Sequence, residues 1–219
     1  MEKFLYYPIK PFRVNQAFAD NQACVDGNST LPVTKRKVVG KVNGVCPVGY
    51  VELYPLLGMK KGHTGLDLYG PRGFGIYASA DGTVEEVNTE IERGLGIGIV
   101  TDKKYDMGAW GTHYAKYRNW HLQSIEVKLG QKVKAGDLLG TSDNTGVSAG
   151  DHDHFELKPV MYYPDEKSIY NVHQDNGWFG AIDPMPHFLD IHAVDVPQVI
   201  TLQKMLIQLL ENMLKLLKK

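Results

Sequence analysis

From Gly58 to Gly150 the chain alternates short runs rich in Val, Ile, Leu, Tyr and Thr with glycine, and 17 of its 23 glycines fall in this stretch. Such punctuation reads as strands joined by tight turns. The runs predict strands over Leu66–Tyr69, Ile76–Ala80, Thr83–Val87, Ile97–Thr101, Tyr114–Leu122, Leu138–Thr141 and His154–Leu157. A parallel crossover needs a dozen or more residues, so connections this short predict antiparallel pairing. No 3.6-residue apolar period interrupts them between Gly58 and Pro159. The expected fold class is mainly β: a compact antiparallel β-sheet or sandwich core with irregular insertions and a C-terminal α-helix.

The flanks differ from this centre. Asp20 to Tyr50 is mixed and turn-rich, with Gly27, Pro32, Gly40, Gly44, Pro47 and Gly49, and reads as an insertion or flap. A second polar excursion runs from Tyr162 to Gly180, after which Ala181-Ile182-Asp183-Pro184 returns to the core. In the last segment Val199, Leu202, Leu206, Leu209, Met213 and Leu216 follow alternating steps of three and four, the seam of a coiled coil. The expected organisation is an N-terminal segment over 1–57 packing on the core, a domain over 58–192 with the excursion at 168–180, and an amphipathic helix over 197–219. The apolar face of that helix is expected to serve docking or self-association.

Composition narrows the function classes. In 219 residues, 24 basic side chains meet 25 acidic ones for a formal net charge of −1, which gives no electrostatic reason to expect nucleic acid as a partner. Two cysteines are too few for a cysteine-based zinc module, although Cys24 and Cys46 can pair with each other. No run reaches the roughly eighteen apolar residues of a membrane span, and the start shows no secretory leader.

Candidate chemistry lies in the histidines. His63 and Asp67 are four residues apart, an even spacing that sets both on one face of a strand while Leu66 and Leu68 point to the other. His152 and His154 likewise project together, with Phe155 and Leu157 opposite, and this parity places Asp153 on the apolar face. Asp153 must then be paired or near solvent, unless the strand begins at His154. His121 follows the aromatic-rich run Tyr114, Tyr117 and Trp120, whereas His113, His173, His187 and His192 lack a comparable partner and read as structural. Each short motif alone is a weak signal.

Taken in order, these residues resemble the lysostaphin-like zinc endopeptidases, which cut peptides of bacterial peptidoglycan. The resemblance runs from about Lys61 to Leu157. It includes His63-x-x-x-Asp67, a strand, Ala-rich turn and Gly-Thr-Val over Gly75 to Val84, His121-Leu122, and the run Val127-x-x-Gly130-x-x-Val133-x-x-Gly136-x-x-Leu139-Gly140. It ends with Thr145-Gly146-x-Ser148-x-Gly150-x-His152-x-His154-Phe155-Glu156, and a weaker echo stands at Val14-Asn15-Gln16-Ala17-Phe18. The resemblance implies that His63, Asp67 and His154 bind one zinc ion and that His121 and His152 are catalytic, with Glu156 able to orient a histidine from behind.

The implied activity is zinc-dependent hydrolysis of stem peptides or cross-bridges at the bacterial cell wall. With no visible leader, delivery is expected to be phage-associated, by lysis or by non-classical export. Two departures stand out, Asp153 where the family usually has an apolar residue and Trp120 where it usually has Tyr. The long insertion before His63 can cover or shape the substrate groove. A catalytically inactive wall-binding or hydrolase-activating relative is the alternative. A biotinyl- or lipoyl-carrier reading of the glycine repeat leaves the histidines unexplained.

Overall fold

The computed structural model describes residues 1–91, 94–164 and 168–189. Strands β1 (Val14–Gln16), β2 (Ala23–Asp26), β3 (Val38–Gly40) and β4 (Tyr50–Glu52) precede a one-turn helix, α1 (Leu53–Leu56). There follow β5 (Leu66–Tyr69), β6 (Gly75–Tyr77), β7 (Gly82–Asn88), β8 (Leu95–Asp106) and β9 (Thr112–Ile125). The last strands are β10 (Lys132–Val133), β11 (Leu138–Ser142), β12 (His152–Tyr162) and β13 (Ile169–Asn171). Ten strands form one sheet in the order β1-β5-β12-β9-β8-β7-β10, with β11 bridging β9 to β6 and β13 added beside β12. The other three form a small separate sheet, β3-β2-β4. Every strand ladder is antiparallel, as the short connections require.

Period-two alternation gives the large sheet two unlike faces. Leu66 and Leu68 of β5, Ala115 and Tyr117 of β9, and Phe155 and Leu157 of β12 are buried on one face. There they join Ile97, Ile99, Leu122 and Leu139 in the main core. The extended N-terminal stretch closes this side. Leu5 bridges Phe188, Phe4 stacks on Tyr105 at 3.9 Å, and Ile9 is fully buried. The other face carries His152, His154, Glu156 and Lys158 of β12 beside Trp120, Arg118 and Lys116 of β9.

β9 serves two neighbours in succession. It pairs with β12 from Tyr114 to Trp120 and, beyond His121, with β11 from Leu122 to Ile125. At the fork His121 takes φ 66°, a left-handed backbone that costs a non-glycine residue energy and that the surrounding ladders impose.

The segment expected to be a flap is the small β-sheet, with a core of its own formed by Ala23, Val25, Leu53 and Tyr54. Cys24 and Cys46 are joined. Lys41 and Asn21 both donate to the carboxylate of Glu52 on β4. The polar excursion holds β13, which pairs with β12 over Val160 to Tyr162. β8, β9 and β12 run further than the apolar runs predicted, because their ends pair with one another: Lys104 to Asp106 of β8 face Thr112 to Tyr114 of β9, and Lys158 to Val160 of β12 face Tyr114 to Lys116. Across the polar face Glu86 of β7 binds Lys116 and Arg118, and Arg118 also binds Glu156. The helix expected over 197–219, with its proposed docking face, lies outside the described residues. Among those described, no helix is long and apolar enough to cross a membrane.

Candidate active site

β5 and β12 are in register with His154 opposite Asp67, which sets the carboxylate and the imidazole side by side on the polar face. His63 lies just before β5, and Gly65 between them permits the approach. A Cβ at Gly65 would stand 2.3 Å from the Phe155 carbonyl oxygen, so only glycine lets β5 lie this close to β12. His63 Nε2, His154 Nδ1 and Asp67 Oδ1 form a triangle with sides of 2.8, 2.9 and 3.0 Å.

Both histidine donors have a partner behind them. His63 Nδ1–H donates to the Ala17 carbonyl at 3.0 Å, leaving the Nε2 lone pair toward the triangle. His154 Nε2 faces Glu156 Oε1 at 3.7 Å, an electrostatic contact longer than a hydrogen bond. Glu156 is itself fixed by Thr64 at 2.5 Å and Arg118 at 2.7 Å. Burial pushes the Asp67 carboxyl up, but His152, His154 and His63 outweigh it and hold it well below the usual carboxylate range. Two imidazole nitrogens and one ionised carboxylate are a donor set that zinc takes when it keeps a further position open. The residues present therefore fit a divalent ion, and their ligating atoms all lie within 4.8 Å of one another.

The remaining two histidines flank this triangle and differ from each other. The His121 ring lies 4.7 Å from that of His152 and 5.9 Å from that of His154. Its Nδ1–H donates to the Thr145 carbonyl at 2.6 Å, which leaves the lone pair on Nε2. Burial, reinforced by the neighbouring imidazoles, pushes its pKa down to about 3, so the ring is neutral. His152 has an acceptor at each nitrogen, the Gly150 carbonyl at 2.7 Å and Asp67 Oδ1 at 3.3 Å. Burial opposes its charge, but these acceptors prevail and raise its pKa above the ordinary value.

All five predicted residues thus come together, and Glu156 stands behind His154. Asp153 resolves its own parity problem. The strand begins at His152, Asp153 is buried on the core face, and Asn119 Nδ2 donates to its two oxygens at 2.9 and 3.1 Å. Burial raises its pKa to about 7 against that hydrogen bond. Trp120, the other departure, lies flat over ground cleared by Gly96, where a Cβ would approach the indole to 2.4 Å. Arg118 stacks on its ring at 4.5 Å.

Sequence reasoning missed two contributors. Tyr54 of α1 is buried against His63, ring centroids 5.6 Å apart, and accepts from Gln16 at 2.8 Å. Burial and the nearby Asp67 charge raise its pKa, so the phenol stays protonated. Thr145 ties β8 to β9 at the fork: its hydroxyl donates to the Leu122 carbonyl and accepts from the Leu95 amide, while its carbonyl holds His121. Thr145 stands within the glycine motif that precedes His152, whereas Tyr54 carries no local signal. The four histidines, Asp67, Tyr54 and Glu156 line a cleft of about 570 Å³.

An antiparallel sheet presenting this triangle, with two more imidazoles beside it, has the architecture of a metallopeptidase. Residues 61–168 match the model of peptidase family M23 and form a domain of that family. It is 36% identical over 106 residues to the peptidoglycan DD-endopeptidase ShyC of Vibrio cholerae, a match covering 48% of this chain and 22% of that protein. It is also 36% identical over 107 residues to the glycyl-glycine endopeptidase ALE-1 of Staphylococcus capitis, covering 47% of this chain and 26% of that one. The chain spans about a fifth to a quarter of the length of these curated relatives. Among solved structures, one of the SpoIIQ–SpoIIIAH pore-forming complex matches with a TM-score of 0.50 at 16% identity, covering 86% of this chain and 92% of that one, a likeness of fold alone.

Proposed function

We propose that this chain is a zinc-dependent endopeptidase that hydrolyses a peptide bond of bacterial peptidoglycan at the cell wall. His63, Asp67 and His154 hold the ion. Their triangle of 2.8 to 3.0 Å, oriented from behind by Ala17 and Glu156, is the observation that carries the reading. Zinc bound there lowers the pKa of a water toward neutrality and polarises the scissile carbonyl.

The chain's own hydrogen bonds divide the proton work. His121, whose Nδ1–H is held by the Thr145 carbonyl so that its lone pair stands on Nε2, is the acceptor that takes a proton from the attacking water. His152, which keeps its proton beside Gly150 and Asp67, is the donor that steadies the carbonyl oxygen and supplies the leaving amine. Thr64 holds Glu156 beside the His154 ring, and Tyr54 packs against His63.

The test is to strip the metal, restore zinc, and follow the release of new amino termini from purified cell walls. Zinc-restored wild type is expected to release them. His63→Ala and Asp67→Ala are expected to lose both zinc and activity, and His152→Ala only activity. Equal release by wild type, His152→Ala and chelated protein over several wall types would overturn the proposal. Equal zinc content in wild type, His63→Ala and Asp67→Ala would overturn the ligand roles.

A further inference from the structure

The two relatives of equal identity are named for different bonds, so identity does not indicate which bond this chain cuts. The cleft carries its own indication. One side is the polar histidine face of the large sheet. Adjoining it, the small sheet contributes Ala23 and Val38, α1 and the turn after it contribute Leu53, Leu57 and Met59, and the loop before β12 contributes Val147, all lining the same cleft as His63, Asp67 and His154. These six are one surface rather than scattered contacts: Val38, Leu57, Met59 and Val147 are half-buried and pack on the insert's own core. α1 fixes the distance to the chemistry, since Leu53 and Leu57 flank Tyr54, whose ring lies against His63.

We propose that this wall is the subsite for an aliphatic side chain next to the scissile bond, and that Leu57, Met59, Val38 and Val147 select it. The inference rests on the peptidase reading and names the substrate class: a bond flanked by a residue of alanine to leucine size, as in a stem peptide, rather than a glycine–glycine bond of a cross-bridge. A wall of methyl groups gains by covering another methyl group and gains nothing from glycine, which has none to bury. The transfer of one buried CH₂, about 0.8 kcal/mol, corresponds to about fourfold in affinity or kcat/KM.

The experiment uses the full zinc-loaded chain and short peptides of either configuration with Gly, Ala or Leu on each side of one bond. Uncleavable isosteres of the Gly-Gly and Ala-Ala peptides are titrated in parallel by calorimetry. An aliphatic residue on one side is expected to raise kcat/KM about fourfold per methyl and to tighten isostere binding in proportion. Val147→Thr, on a loop, and Leu57→Ser, in the insert, are expected to shrink that aliphatic-to-glycine ratio, chiefly through KM, with zinc content retained. Glycine peptides cut and bound as well as aliphatic ones by wild type would overturn the inference and leave the peptidase reading standing. Preferential binding of the aliphatic isostere with no cleavage of any peptide would overturn the peptidase reading and leave the subsite. Wild type alone decides both points, so a variant that fails to fold alters neither.

Discussion

The large sheet and the small one meet at the same cleft but hold their shape by different means. Around the histidines each side chain is fixed by continuous ladders: β12 is paired with β5 on one edge and β9 on the other, over a fully buried apolar face. The insert has strands of three or four residues, four buried apolar side chains, a disulfide and a salt bridge. Long-range pairing over-determines the histidine geometry, whereas a few ties hold the wall. Changes on the sheet side should therefore stop the reaction or unfold the domain, and changes on the insert side should retune it.

The sharpest test of that contrast is His121→Ala, expected to cut kcat by about a hundred- to ten-thousand-fold while zinc content and melting temperature hold, as removal of a general base would. Loss of zinc in this variant would place His121 among the ligands instead. Next is Gly65→Val, whose branched Cβ cannot stand 2.3 Å from the Phe155 carbonyl. It is expected to part β5 from β12, cost about 3 kcal/mol in denaturant unfolding and abolish zinc binding together with activity.

On the insert side, Cys24→Ser with Cys46→Ser opens a tie across 22 residues, worth about 3 kcal/mol on the chain-entropy estimate but confined to the small sheet. Hydrogen exchange should accelerate at the Val25 amide and not at Phe155, and KM should rise more than kcat falls. Global unfolding at the same denaturant would erase the distinction between the two regions.

Beneath the site, Asp153→Ala should cost about 2 kcal/mol, because it strands the buried Asn119 amide, whereas Asp153→Val with Asn119→Val should come close to wild type. The smallest effect concerns acid. The Lys41 hydrogen bond, with help from Asn21, holds the Glu52 carboxyl below the usual range. A carboxyl lowered on folding contributes stability above its unfolded pKa and loses it as pH falls through the folded one. For this partly exposed pair the amount is about 0.5 kcal/mol. Below about pH 4, exchange in β2 and β4 should rise ahead of exchange in β12, and Glu52→Gln should remove that pH dependence.

Much of this was legible in the chain because period two writes both the fold and the site. Leu66 and Leu68 alternate with Asp67, and Phe155 and Leu157 with His154 and Glu156, so one pattern located strands, core face and candidate site together. What resisted was information held in register. Asp153 looked misplaced until the pairing of Phe155 with Asn119 brought an amide beside it. The end of β8 was hidden because Lys103, Lys104 and Asp106 read as solvent positions singly, and that stretch joins a ladder only through pairing with Thr112 to Tyr114 of β9. Tyr54 reaches His63 through a helix of one turn, too short to leave a period. The insert's strands are shorter than any alternation can betray.

Thr145, at the fork in β9, has a mechanical corollary. Its carbonyl steers the base, and only Gly146 separates it along the backbone from Val147. A ligand pressing on that valine therefore leans on the same stretch of chain that aims the imidazole, so grip and reactivity share one lever.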